Sequence, residues 1–489
     1  MLEEQIPRKT VRQFFSEHVS IIVFLATIIF VIIFSVSTLV TKPRLWIDEA
    51  ISISIARSFL THGVLSPQIS PNTFFEPPAF IQSTGYPVTI SLAGFFKIFG
   101  YGIYQARTFM VLWILILLSA VFFLAKKLFS KEQAWGSLLL IASFASFYGS
   151  GRTVVGEIPG FAFLLAGFYF LLEKQKYFVA GLLWGLAVVA KPSVFGLIIP
   201  AIVVTFLFEW RGFFRKILML GLGMIPAGLL WILILIPKPF TSETWIGLSN
   251  FYKNPFSSSI SENVANNLAG FFHSSTLIYF GLFFLLIVGA RIILKEEKLK
   301  PLFTFTLIYS VLAFIYYLRS PGWLRYILIA ELLILFILPK AIALAVSYFK
   351  EKFQKISISE KLITSSILGI LIVFQFVQMF TVAQVFFGDD DLKMAQYIEE
   401  KFPGETIGLL NALELSVLLD PSYSYLTFYN AGLPIVGENP VLMKVPPEVI
   451  VTDPNNQFAK AGEKVLREQY VEIPAVHGYS VYTRTKVTK

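Results

Sequence analysis

Long apolar runs recur along this chain, and they leave the lipid bilayer as the one solvent most of it can fold in. Residues 21–40 are apolar apart from scattered Ser and Thr, long enough as a helix to cross about 30 Å of hydrocarbon. Comparable runs predict spans over 19–40, 104–125, 133–150, 158–172, 177–190, 192–209, 214–236, 272–294, 302–318, 323–348 and 362–387, a bundle of about eleven transmembrane helices. Charged residues make up only 15% of the chain and the mean hydropathy is +0.70, whereas soluble domains carry about 25% charged residues. The fold class expected is an all-α polytopic membrane bundle with one small soluble domain.

The net charge of +9 is not a nucleic-acid footprint, because the basic residues fall in short clusters between apolar runs. Lys126, Lys127 and Lys131 form one cluster, and Lys174 and Lys176 a second. Arg211, Arg215 and Lys216 follow, then Arg291, Lys295, Lys298 and Lys300, then Lys350, Lys352, Lys355 and Lys361. Placing all five in the cytoplasm satisfies the positive-inside rule. The loops 41–103 and 237–271 and the tail from 388 then face outward. Arg8, Lys9 and Arg12 precede the first run without a small-residue cleavage site, so that run reads as an uncleaved signal anchor with its N-terminus in the cytoplasm. The chain has no cysteine, which excludes disulfides, thiolate metal sites and a Cys nucleophile.

Loop 41–103 holds apolar stretches at 50–60 and 86–99 that suit helices lying in the interface plane. Between them Pro67, Pro71, Pro77-Pro78 and Gly85-Tyr86-Pro87 mark irregular backbone. At Gly388 the composition turns to that of a soluble protein. An amphipathic helix is expected over 392–402 and strands over 406–410, 449–452 and 479–483. Two domains follow, 1–387 in the membrane and 388–489 as a small extracytoplasmic α/β domain.

Ionisable groups at membrane depth are functional candidates, and four groups stand out on the outward side. Asp48-Glu49 follows the first span directly, and two adjacent carboxylates repel each other there. Arg152 and Glu157 follow the span 133–150. Lys191-Pro192 interrupts two apolar stretches, and Arg325-Tyr326 opens the span 323–348. Each also has a plain structural reading. Asp48 and Glu157 suit the first turn of a helix, Lys191 a turn at the interface, and Arg325 a snorkelling side chain. Glu331, inside 323–348, reads as the partner of a neighbouring helix.

Taken together, carboxylates and cations at one end of a helix bundle suit group transfer from an anionic lipid. When a sugar leaves a polyprenyl phosphate, the phosphate gains negative charge that preplaced Arg, Lys and Tyr groups stabilise. The incoming hydroxyl loses a proton to a carboxylate base, and a second carboxylate can support an oxocarbenium-like transition state.

At these residues the chain resembles the GT-C superfamily of membrane glycosyltransferases, and within it the protein O-mannosyltransferase and lipid A aminoarabinose transferase group. The resemblance covers roughly 15–350. It rests on Trp46-Ile47-Asp48-Glu49-Ala50, Gly85-Tyr86-Pro87, Phe96-Lys97-Ile98-Phe99-Gly100, Ala106-Arg107 and Lys126-Lys127-Leu128-Phe129. Arg152, Glu157, Gly181-Leu182-Leu183-Trp184-Gly185-Leu186-Ala187, Lys191-Pro192 and Arg325-Tyr326 complete it. The resemblance implies inverting transfer from a polyprenyl-phosphate sugar, with Asp48 as general base and Glu49 assisting. It implies Glu157 at the acceptor, and Arg325, Lys191, Arg152 and Tyr326 around the donor phosphate. Tyr86 and Arg107 would shape the loop. It implies no obligatory cofactor or metal, with a divalent ion on Asp48, Glu49 and Glu157 as the alternative, an envelope lipid, glycan or protein as acceptor, and a prokaryotic plasma membrane. The chain departs from the group at Glu76, which precedes Pro77-Pro78 where the aminoarabinose transferases carry lysine. The rival readings are a ligase of diphosphate-linked oligosaccharides and a lipid or polysaccharide transporter. Against the transporter, the chain shows no paired repeats and no matched broken helices.

Overall fold

The computed structural model describes residues 11–70, 72–75, 82–209, 213–235, 241–253, 259–353, 358–382, 388–410, 412–420, 425–428, 446–453 and 469–485. Glu76, Pro77 and Pro78 lie outside the described residues. The chain is mostly helical, as lipid demands, since a helix satisfies its own backbone hydrogen bonds. Among the described residues, seven helices are long and apolar enough to cross a membrane.

The helices run α1 (Val11–Val36), α2 (Ile47–His62), α3 (Tyr86–Phe99), α4 (Ile103–Leu128), α5 (Lys131–Ala142), α6 (Ala145–Gly151), α7 (Glu157–Leu172), α8 (Tyr177–Ala190) and the turn α9 (Pro192–Phe195). Then follow α10 (Ile198–Glu209), α11 (Phe213–Leu235), α12 (Ser242–Lys253), α13 (Ile260–Gly270), α14 (Ser275–Ile293), α15 (Lys300–Arg319), α16 (Leu328–Lys352) and α17 (Glu360–Val382). Among the apolar helices, Ile21–Val36, α3, α7 and α8 are shorter than the seven.

The run expected as one span over 133–150 is broken. Its chain turns at Ser143-Phe144, where the Ser143 hydroxyl donates to Gln375 Oε1 on α17 at 2.9 Å. The run 192–209 is one of the seven, Pro192–Glu209, and begins with the short turn α9 before α10. Glu331 Oε1 is buried without a hydrogen-bond partner, and the Glu331 charge acts on Tyr279 of α14.

The main core lies among α4, α5, α7, α14, α15 and α16, with α16 the most enclosed of the long helices. Side chains such as Phe208, Phe214, Leu285 and Ile370 point outward, which suits contact with lipid. Helices α8 and α11 pack backbone to backbone. A Cβ on Gly181 would lie 2.1 Å from the Leu220 carbonyl oxygen, and one on Gly223 would lie 2.2 Å from that of Phe178. Small residues at a helix contact permit this approach.

A second core joins α2, α3 and the start of α4 through Ile51, Ile55, Val88, Leu92 and Met110. Leu413 and Val417, from the far end of the sequence, complete it. They flank and belong to α19 (Leu413–Ser416), which follows α18 (Asp390–Lys401).

Between and after these run β3 (Ile407–Leu410), β4 (Tyr425–Phe428), β5 (Val449–Thr452), β6 (Tyr470–Val476) and β7 (Tyr479–Arg484), numbered after the small hairpin β1 (Gln68–Ser70) and β2 (Thr73–Phe74). They form a five-stranded sheet ordered β4-β3-β5-β7-β6. β3 pairs parallel with β4 and β5, Ile407 facing Tyr425 and Val449. β7 closes antiparallel on β5 and on β6. The β6–β7 turn uses His477 and Gly478, both at positive φ. Met394, Ile398, Leu409, Val451 and Val481 build this third core.

Candidate functional site

Helix α2 starts immediately after Trp46, which is extended and makes no side-chain cap. Asp48 and Glu49 therefore fall in its first turn, where carboxylates are favoured by the helix dipole. Neighbouring positions on a helix point about 100° apart, and here the two side chains go separate ways.

Glu49 turns into the bundle. Its two oxygens accept from Arg107 on α4, Oε1 from Nε at 2.9 Å and Oε2 from Nη2 at 2.7 Å. Both side chains have 0% exposure. The Val154 amide donates to Oε1 as well, at 3.3 Å. Arg107 Nη1 donates to the carbonyls of Leu39 and Val40, at 2.9 and 3.1 Å, beyond the end of α1. Glu49, grouped with the catalytic carboxylates in the sequence, has both oxygens engaged by Arg107, and this pair ties α2 to α4 and to the chain after α1. Arg152, expected at the donor phosphate, lies against the chain after α1. Its guanidinium donates to Thr38 Oγ1 at 2.8 Å and to the Tyr148 carbonyl at 3.3 Å, and lies over the Phe34 ring.

Asp48 turns the other way, and its Oδ2 accepts from Arg325 Nη1 at 2.8 Å. This pair is partly open, with 17% exposure for Arg325 and 20% for Asp48. The guanidinium sits among three rings, 4.5 Å from the centroid of Trp46, 4.7 Å from Trp323 and 5.4 Å from Tyr326. Arg325 Nε is buried without a hydrogen-bond partner. Its loop is held by Asn267 on α13, whose amide donates to the carbonyls of Tyr317, Leu318 and Ser320 at 3.2, 3.1 and 2.8 Å. These carbonyls lie at the C-terminal end of α15, where Tyr317 also accepts from the Ser320 amide at 2.9 Å. The sequence reading gave Trp46 no role beyond the motif it opens, and missed Trp323 and Asn267. Trp46 and Trp323 had a signal, since each stands two positions before the charge it flanks, in Trp46-Ile47-Asp48 and Trp323-Leu324-Arg325.

Glu157 is the first residue of α7 and Lys191 the residue between α8 and α9. Pro192 ends α8, because its ring disfavours helical backbone at Lys191. Lys191 Nζ lies 3.9 Å from Glu157 Oε1, with the side chains 2% and 1% exposed. At that distance no hydrogen bond forms, and Lys191 Nζ and Glu157 Oε2 are both buried and unpartnered. The charges of Asp48 and Glu157 both act on Arg325, so the four groups form one electrostatic cluster at one end of the helices.

Two glycines make this cluster possible. A Cβ on Gly156 would lie 1.9 Å from the Ala190 carbonyl oxygen, and a Cβ on Gly85 would lie 1.9 Å from that of Val189. The Gly85 amide donates to the Ala190 carbonyl at 3.1 Å. The backbone carrying Lys191 is thus clamped between the chain before α3 and the chain before α7. Tyr86 stands beside this clamp, with Val189 and Ala227 around its ring and its hydroxyl 3.4 Å from the Ala227 carbonyl. Among the described residues no three His, Asp or Glu side chains gather as metal ligands.

A partly open Asp–Arg pair beside a buried, unsatisfied Glu–Lys pair is an arrangement that can take up an anion and a proton together. It sits on a backbone with known counterparts. ArnT from Cupriavidus metallidurans, in complex with undecaprenyl phosphate, superposes with a TM-score of 0.63 at 12% identity, over 96% of this chain and 99% of that one. The chain shares the fold of that protein. The oligosaccharyltransferase of Archaeoglobus fulgidus, tethered to an acceptor peptide, matches with a TM-score of 0.54 at 11% identity, over 97% of this chain and 75% of that one. The mycobacterial arabinofuranosyltransferase AftD matches at 0.51 and 12%, over 96% of this chain and 40% of its own. Residues 88–237, from α3 through α11, match the family model of dolichyl-phosphate-mannose-protein mannosyltransferases. No curated protein matches the sequence.

Proposed function

We infer that this chain is a membrane glycosyltransferase that moves a sugar from a polyprenyl-phosphate donor to a hydroxyl of an envelope lipid, glycan or protein. The observation that carries the reading is the cluster of Asp48, Arg325, Glu157 and Lys191 on a GT-C bundle. Lys191 and Arg325, with the Tyr326 hydroxyl beside them, bind the donor phosphate. Asp48 and Arg325 hold each other in this structure; a phosphate accepted by Arg325 releases the carboxylate. The acceptor oxygen attacks the anomeric carbon from the face opposite the phosphate, and its proton passes to Asp48. The bond from anomeric carbon to phosphate oxygen breaks with inversion, and the polyprenyl phosphate leaves with the extra negative charge facing both cations. Glu157 positions the acceptor. No metal is needed for these steps, because the cations are side chains.

The same reading takes 1–387 as the catalytic domain and 388–489 as an extracytoplasmic domain. Ile21–Val36, α7, α8 and the broken pair α5–α6 join the seven long helices as crossings, about eleven in all, and α2 and α3 lie along the outer interface. The membrane is a prokaryotic plasma membrane and the N-terminus is cytoplasmic.

The test is purified wild type and Asp48→Asn in nanodiscs, given a panel of undecaprenyl-phosphate sugars and envelope acceptors and read by mass spectrometry. Transfer by wild type, lost in Asp48→Asn while the donor still binds, is expected. No consumption of any donor, or equal turnover by Asp48→Asn, defeats the assignment and favours a transporter. Turnover only with diphosphate-linked oligosaccharides makes the chain a ligase.

A further inference from the structure

Buried polar atoms without partners are uncommon and call for an explanation. In this protein they concentrate in one short stretch that the transfer chemistry does not use. Gln82, Ser83 and Thr84 precede α3, and Gln82 Nε2 and Oε1, Ser83 Oγ and Thr84 Oγ1 are all buried with no hydrogen-bond partner. Gln82 is 7% exposed and Thr84 1%. The stretch cannot swing out to find partners, because Gly85, the next residue, is bonded to the Ala190 carbonyl and pressed against Val189. That contact sets it beside Lys191, whose Nζ is unpartnered too.

We propose that Gln82, Ser83 and Thr84 form a strip that binds the neutral hydroxyl groups of the donor's sugar ring, and so select which sugar is transferred. The proposal rests on the donor reading above. The sugar is bonded directly to the phosphate, so a phosphate on Lys191 and Arg325 brings the ring toward the stretch that Gly85 ties to the Val189 and Ala190 backbone. An amide and two hydroxyls each give and accept hydrogen bonds, as sugar hydroxyls do. None of the three carries charge, so the strip matches neutral vicinal hydroxyls and leaves the phosphate to the cations. A site built to bond hydroxyls rejects analogues lacking them, since its own polar groups then stay unpaired.

The experiment measures binding to the full-length protein in detergent by native mass spectrometry. The probes are undecaprenyl phosphate and the same lipid carrying mannose, glucose, arabinofuranose or their deoxy analogues. Wild type is compared with Gln82→Leu and Thr84→Val, the second removing a hydroxyl at nearly constant shape, and with Arg325→Met. The expected result is that wild type prefers one sugar-bearing lipid over bare undecaprenyl phosphate. Each strip variant should cut that preference by about fivefold, the worth of one neutral hydrogen bond, with bare-lipid affinity unchanged. Arg325→Met should weaken bare and sugar-bearing lipids alike. An unchanged preference in both strip variants overturns the proposal, as does a wild type with no preference for any sugar. If the variants instead raise only the KM for a glycan acceptor, the strip reads the acceptor and the proposal is wrong. Failure of wild type to bind even the bare lipid sinks the donor reading itself, and the strip with it; a sound bare-lipid affinity with an unaltered preference sinks the strip alone.

Discussion

Replacing Glu49 by Gln should damage the fold, whereas replacing its neighbour Asp48 by Asn should damage only the chemistry. The Glu49–Arg107 pair is bidentate at 2.9 and 2.7 Å with 0% exposure on both sides. A Gln amide can accept one of those bonds but turns its own N–H groups toward a donor-only guanidinium. Arg107 then keeps a buried charge without an anion. Breaking one partner of such a pair costs about 3–5 kcal/mol, a large share of the roughly 5–15 kcal/mol that holds a folded protein together. The double variant Glu49→Leu/Arg107→Met removes both charges and should recover much of the loss. It should not recover all, because the Leu39 and Val40 carbonyls lose their donor, at about 1–3 kcal/mol for groups that stay buried. Asp48 and Arg325 keep about a fifth of their side-chain surface open to solvent, so Asp48→Asn should cost less stability than Glu49→Gln. The assay is unfolding of detergent-purified protein by graded addition of SDS, alongside donor turnover. If Glu49→Gln unfolds like wild type yet has no turnover, Glu49 is a catalytic carboxylate and the anchoring argument is refuted.

Three further expectations follow from the same geometry. Arg325→Lys keeps the charge but loses the flat group between Trp46 and Trp323, so donor affinity should fall about tenfold with unfolding unchanged; equal affinity would mean that the rings contribute nothing. Gly156→Ala puts a Cβ 1.9 Å from the Ala190 carbonyl oxygen, which should cost about 1–3 kcal/mol and misplace Lys191, while Gly149→Ala, with nothing within 4 Å, should behave as wild type in both stability and turnover. In the C-terminal region, burial and the charges of Asp391 and Asp453 raise the Glu414 carboxyl from 4.5 to about 7. The folded state then holds a proton that the unfolded chain releases between those values. The resulting stabilisation is complete below about pH 4.5 and lost as pH rises through about 7, up to about 3 kcal/mol in all. Hydrogen exchange at β5 measured from pH 5 to 8 should show falling protection in wild type and a flat profile in Glu414→Gln.

The sequence located the helices well because lipid leaves a run of apolar residues little choice of structure. It missed the break at Ser143-Phe144, which holds neither Pro nor Gly and is tied to Gln375 on a helix far along the chain. It identified Asp48 and Arg325 singly, but their pairing spans 277 positions and no local pattern encodes it. It could not divide the adjacent carboxylates between two roles, since the direction each takes from α2 depends on where α4 and the Arg325 loop pack. The unpartnered Gln82, Ser83 and Thr84 look like ordinary loop residues as letters; only their burial marks them.

How α2 holds Asp48 still depends on the end of the chain. Arg57, further along α2, is buried at 6%, and its Nη1 lies 3.4 Å from the Ser416 carbonyl and 3.5 Å from the Tyr101 hydroxyl. Arg44, just before α2, makes a two-oxygen contact with Asp391, at 2.7 Å from Nη2 and 3.1 Å from Nε. The Tyr479 hydroxyl donates to the same carboxylate at 2.6 Å. Leu413 and Val417 add apolar contact to the core that α2 shares with α3. Helix α2 is therefore fixed by Arg107 on the bundle side and by the C-terminal sheet and its helices on another, and the Asp48 carboxylate projects from a segment that is held along its length. Deleting 388–489 would remove one of those supports and take Leu413 and Val417 out of the core that α2 shares with α3. Loss of turnover in such a truncation would consequently report the loosening of α2, and would say nothing of acceptor binding unless Arg44→Ala and Arg57→Ala, which leave the sheet in place, retained activity.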